Sequence, residues 1–122
     1  MRILLLALLL LAPTAAPASG PTPLGDWVAL DGGPLPATWT IANGTITHTP
    51  GGGDIRTAGQ YGDFALDFEW QISPGGNSGV FYRVPAGANT NVLGGPEYQI
   101  LDNAGHSDGR QPITSAASAY GI

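Results

Sequence analysis

Glu97 and Gln99 alternate with Tyr98 and Ile100 along the short run Glu97-Tyr98-Gln99-Ile100-Leu101. An extended backbone turns the first pair to one face, available to a concave surface, and the second pair to the other, toward a core. A carboxylate beside an amide oxygen can accept a proton or hold a hard cation such as Ca²⁺. The plain alternative is a solvated sheet face. Just beyond lie Asp102, Asn103, His106 and Asp108, a loop rich in oxygen and imidazole groups. His106 has the one side-chain type whose ordinary pKa suits proton transfer near neutrality. The same loop also reads as a turn, because Asp-Asn and Ser-Asp-Gly bond their own backbone.

Arg83 closes the block Gly75-Gly76-Asn77-Ser78-Gly79-Val80-Phe81-Tyr82-Arg83. A guanidinium fork there matches an oxyanion, or else pairs with Asp67 or Glu69 on a neighbouring strand. Asn77 and Ser78 carry an amide and a hydroxyl that could bond a ligand, although such residues often cap their own turn. Asp67 and Glu69 share one strand face at roughly 6–7 Å, a spacing that invites a paired-carboxylate glycosidase reading. Alternating charges on a sheet face are the commoner explanation. His48, within Thr45-Ile46-Thr47-His48-Thr49, reads as a surface or core histidine.

These residues need a scaffold of short strands. Candidate strands recur at Trp27–Leu30, Thr38–Ala42, Thr45–Thr49, Asp54–Thr57, Phe64–Ile72, Gly79–Val84 and Glu97–Leu101, with Gly and Pro clustered between them. In Phe64–Ile72 the residues Phe64, Leu66, Phe68, Trp70 and Ile72 alternate strictly with Ala65, Asp67, Glu69 and Gln71. That period predicts a strand with one buried face. Asn43-Gly44 between two short runs predicts a tight hairpin, since both residues accept φ > 0. Asn43-Gly44-Thr45 is also a glycosylation acceptor pattern. No window carries a sustained helical period. The expected fold is all-β, an antiparallel sandwich or jelly roll.

The chain has 122 residues, no cysteine, and nine acidic against four basic residues, for a formal charge of −5. Without cysteine, stability must come from packing rather than disulfides. All four basic residues are arginine, and such a balance disfavours nucleic acid and anionic membrane surfaces, which reward clusters of Lys and Arg. Arg2, the apolar run Ile3–Ala12 and the small residues before Ser19 predict a secretory leader over 1–18, with Ala16-Pro17-Ala18 as the cleavage pattern. Residues 19–25 hold two prolines and read as a linker. One domain is then expected over 26–122, exported and free of the membrane once the leader is cleaved. Ala119-Tyr120-Gly121-Ile122 reads as the opening of another strand, so the sandwich is expected to be C-terminally incomplete.

Three ordered blocks carry a family resemblance. They are Tyr61-Gly62-Asp63-Phe64-Ala65-Leu66-Asp67-Phe68-Glu69-Trp70, then Gly75 to Arg83, then Gly95-Pro96-Glu97-Tyr98-Gln99-Ile100-Leu101-Asp102-Asn103. In this order they resemble the 3-keto-disaccharide hydrolase family, formerly a domain of unknown function. Trp27 with Asp31-Gly32-Gly33, and Trp39 with Asn43-Gly44-Thr45-Ile46, resemble its opening strands less tightly. The resemblance implies a concanavalin- or laminin-G-like jelly roll that acts on 3-keto-glycosides by elimination and hydration. It implies a carbohydrate ligand and a site drawn from Arg83, Glu97, Asp102 and His106 for the chemistry, with Asn77, Gln99 and Glu69 on the substrate. A non-catalytic carbohydrate-binding or adhesion module on the same fold is the alternative, and an inactive or unfolded fragment is a third.

Overall fold

The structure, a computed structural model, describes residues 25–85 and 94–122. The predicted leader and all but the last residue of the predicted linker lie outside them. No helix among the described residues is long and apolar enough to cross a membrane.

The fold is all-β. Its strands are β1 (Trp27–Ala29), β2 (Trp39–Ala42), β3 (Thr45–His48), β4 (Ile55–Thr57), β5 (Asn77–Phe81) and β6 (Glu97–Leu101), and a 3-10 turn spans Ser107–Arg110. They pair antiparallel as β1–β4, β2–β3 and β5–β6. Small antiparallel sheets of this kind are consistent with one part of a β-sandwich.

Local chemistry explains the N-terminal pairs. Asn43 at φ 51° and Gly44 at φ 75° make the tight β2–β3 connection, whose right-handed twist matches the flanking strands. At the open end of that hairpin the Trp39 and His48 rings stack with centroids 4.2 Å apart. Trp39 Nε1 donates to Gly53 O at 2.9 Å, which ties the hairpin to the approach to β4. Leu30 N donates to Asp54 O and Ala58 N to Asp26 O, extending the β1–β4 ladder at both ends. Arg56 reinforces it by donating from Nε to Leu30 O at 3.0 Å.

The β5–β6 pair is the best supported. Its register sets Asn77 opposite Leu101, Gly79 opposite Gln99 and Phe81 opposite Glu97. The far edge of β6 is also occupied: Gln99 N donates to Ser118 O, Ala117 N to Gln99 O and Tyr120 N to Glu97 O. Ala119 thus forms a single antiparallel bridge with Tyr98, where the residues read as a further strand instead turn away.

The long strand expected over Phe64–Ile72 does not form. No backbone group from Gly62 to Ile72 bonds another described residue, and a strand is defined by its pairing, whereas alternation reports only which face is apolar. Phe64, Leu66, Phe68 and Trp70 remain between 36% and 50% exposed. Phe68 meets the Tyr98 ring edge-on at 5.4 Å. Among the described residues only Leu101 and Gln99 are buried, so the core sits on β6.

Candidate functional site

On β6 the residues Glu97, Gln99 and Leu101 share a face, and burial deepens along it. The expectation that Gln99 opens to a cleft while Tyr98 and Ile100 fill the core is reversed. Gln99 is 1% exposed because the chain returns over it between Thr114 and Ser118. Its Nε2 donates to Thr114 O at 3.3 Å, and its Oε1 has no partner among the described residues.

Glu97 is half-buried at the start of the strand, with its side chain lying against Gly79 of β5. Burial raises its pKa, and the charge of Asp54, just before β4, raises it further. A carboxylate held this way is a stronger base than an open one. Tyr120 crosses the same strand end and donates its N–H to Glu97 O at 3.0 Å. Its hydroxyl donates to Asp108 Oδ2 at 3.1 Å. That bond, then the Asp108 charge, burial and the Glu97 charge, hold the phenol in its neutral form and raise its pKa.

His106 caps the 3-10 turn by accepting Asp108 N–H on Nδ1 at 3.2 Å. The accepting nitrogen must be bare, so in the neutral ring Nε2 carries the proton. Thr114 Oγ1 donates to Asp108 O at 2.6 Å and fixes the same turn. Glu97, Tyr120, Asp108 and His106 are therefore linked in sequence through Tyr120 and the turn.

The other predicted residues lie elsewhere. Asp102 accepts Gly75 N–H at 2.7 Å on Oδ2 and Ala104 N–H at 3.1 Å on Oδ1. The Gly75 bond, then the Ala104 bond and finally that from Gly105, lower its pKa against the opposing effect of burial. Asp102 thus joins the turn before β5 to the loop after β6. Asn77 is exposed opposite Leu101. Glu69 is exposed on the unpaired segment and lines neither of the two clefts below.

Arg83 is not on a strand continuing with Gly79 and Phe81. β5 ends at Phe81, and Arg83 takes φ 54° in the bend that follows. This breaks the alternation and leaves its side chain with Tyr82, Tyr98, Phe64 and Phe68 around a cleft of about 410 Å³. Its ion-pair partner is Asp63 at 3.9 Å, not Asp67 or Glu69, and both side chains are largely exposed. A second concavity, about 610 Å³, lies beside Trp70, Ile72, Leu101 and Asp102. Neither contains Glu97, which sits on the strand surface between β5 and the return through Tyr120.

His48 is structural, its Nε2 lying 2.8 Å from Gly51 O. Sequence reasoning did not reach Tyr120 or Asp54 as neighbours of Glu97. Tyr120 sits in an apolar tail, and only the chain's return along β6 carries its hydroxyl to Asp108. Among the described residues no three His, Cys, Asp or Glu side chains converge as a metal cage requires.

Residues 20–122 match the family described as the 3-keto-alpha-glucoside-1,2-lyase-like domain. A 3-keto-disaccharide hydrolase of Bacteroides thetaiotaomicron is 32% identical over 108 residues, covering 70% of this chain and 37% of that protein. The chain therefore spans little more than a third of the length of the curated relative it matches.

Proposed function

The chain belongs to the 3-keto-alpha-glucoside-1,2-lyase-like family, and on that footing we propose that it is part of an exported enzyme that cleaves 3-keto-glycosides by elimination and hydration. A ketone at sugar carbon 3 acidifies the proton on carbon 2. Glu97 removes that proton, and the C–H electrons pass into an enolate whose negative charge rests on the carbon 3 oxygen. Collapse of the enolate forms the C1–C2 double bond and breaks the bond from carbon 1 to the leaving oxygen. His106, with its proton on Nε2, is the donor assigned to that oxygen. Water then adds at carbon 1, giving a proton back to His106, while Glu97 returns its proton to carbon 2. The products are the free 3-keto-sugar and the released alcohol.

The observation that carries this reading is Glu97 itself, half-buried on Gly79 with its proton affinity raised by burial and Asp54. Arg83 and Asp102 are left outside the chemistry, because one faces another cleft and the other has its oxygens engaged by backbone N–H groups. Gln99 serves as a sealed support under Glu97, and Asn77 is kept as a surface contact for sugar.

The cleft beside Arg83 supports a second reading, a carbohydrate-binding module. Aromatic walls with one charged pair at the rim suit a sugar's apolar face and hydroxyls, and the volume falls within the usual ligand range.

The two are separated by incubating the full chain with a 3-keto-disaccharide and following release of 3-keto-glucose. The enzyme reading expects release that Glu97→Gln abolishes while sugar binding persists. Binding without release in the parent chain, lost on Phe68→Ala or Tyr82→Ala, replaces it with the module.

A further inference from the structure

Gly79 is the middle residue of β5 and lies opposite Gln99. A glycine inside a strand weakens it, since it brings no packing side chain and loses the most backbone freedom on folding. Its conformation does not require glycine, because Gly79 is not among the residues with positive φ. What occupies the missing side chain's place is Glu97. A β-carbon on Gly79 would overlap Glu97 Oε1 and come within 2.7 Å of both Cδ and Cγ.

All three of these nearest atoms belong to one flexible side chain. At Gly95 and Gly109 the first obstacle is instead backbone, Tyr82 O and Asn103 O respectively. Those two glycines admit a close approach of chain to chain, whereas Gly79 makes room for a carboxylate.

We propose that Gly79 is a positioning residue for Glu97, leaving bare the stretch of β5 on which the carboxylate lies. The proposal rests on the reading of Glu97 as the proton-abstracting base. Asp54 before β4 is the group that acts on Glu97 electrostatically, and the Glu97 charge acts in turn on Tyr120, whose hydroxyl is held by Asp108. Arg83 is turned to the cleft walled by Tyr82, Tyr98, Phe64 and Phe68. Lifting the carboxylate off Gly79 therefore moves it toward water and away from the base's place at carbon 2, without removing any group from the site.

Gly79→Ala in the full chain tests this by three readouts: thermal midpoint, Glu97 carboxyl titration by NMR, and the rate of 3-keto-glucose release against pH. The expected result is an unchanged or higher melting temperature, because alanine is the better strand residue and its three nearest neighbours belong to a side chain that can rotate away. The Glu97 midpoint should shift down toward that of an open glutamate. Release should fall about 100-fold, the usual consequence of a displaced catalytic group. Glu97→Asp shortens the side chain, so adding Gly79→Ala to it should cost much less than in the parent. A folded Gly79→Ala chain with an unmoved Glu97 midpoint overturns the proposal.

If Gly79→Ala does not fold, Gly79→Ala/Glu97→Ala decides. Recovery of folding shows that the conflict lies with Glu97, and failure to recover shows that the backbone needs glycine and overturns the proposal. The base reading fails separately, if Glu97→Gln turns over like the parent, whatever the titration shows.

Discussion

Glu97 and Asp102 stand at and just beyond the two ends of β6, and their surroundings drive them in opposite directions. Burial, with Asp54 behind it, pushes Glu97 up, while N–H donors led by Gly75 pull Asp102 down. A base must be ionised to act, so release of 3-keto-sugar should fall as pH drops through the raised Glu97 value. The acid limb of the rate profile is then expected above the ordinary glutamate range, and Asp54→Asn should lower it. For stability the signs separate. The folded state holds the Glu97 proton more tightly than the unfolded state does, so its ionisation costs stability as pH climbs from the ordinary value through the raised one. Asp102 is the reverse: its contribution is present above the ordinary aspartate pKa and is lost as pH falls through the lowered folded value. Asp102→Asn should flatten that acid loss in a pH series of melting curves, and should leave most turnover intact. The sequence displays a carboxylate at both places. It does not display which backbone N–H groups will point at them, and that assigns Asp102 to the Gly75 turn and leaves Glu97 on Gly79.

At the scale of elements, the Asn43-Gly44 hairpin was readable in advance because two residues suffice to specify its turn. Gly44 has φ 75°, and a β-carbon there would meet nothing within 4 Å. Gly44→Ala should therefore cost only the backbone penalty of a left-handed residue, about 1 kcal/mol, read as a lower melting temperature with no change at Glu97. The β5 strand was legible in place but not in extent. It begins two residues before the expected Gly79 and ends before Arg83, whose positive φ swings the side chain into the aromatic cleft. Non-glycine residues seldom take that conformation, and nothing in the Tyr82-Arg83 dipeptide announces it. The burial of Gln99 was equally hidden, because it depends on Thr114 to Ser118 folding back from well beyond the strand.

For the molecule as a whole, composition and periodicity were enough for the fold class: low helix, short antiparallel strands and glycine-rich turns are all present. They could not specify how the pairs pack together. Packing depends on which apolar faces meet, and among the described residues only the β6 face is sealed. The Phe64–Trp70 side chains touch the β5–β6 pair at Tyr98 without being enclosed.

The stretch from Gly62 to Ile72, whose backbone bonds no other described residue, has a further consequence. A protease binds its substrate as a chain whose amides pair with the enzyme, and this stretch, with no backbone bond to another described residue, carries Phe64, Phe68 and Trp70 as chymotrypsin sites. A cut there severs no ladder among the described residues, since β1 to β4 all precede it and both β5 and β6 follow it. Brief digestion should yield two resistant pieces, one carrying the Trp39–His48 stack and the other Glu97 with Tyr120. The segment would then be a seam, along which the protein parts into a sheet-bearing half on either side.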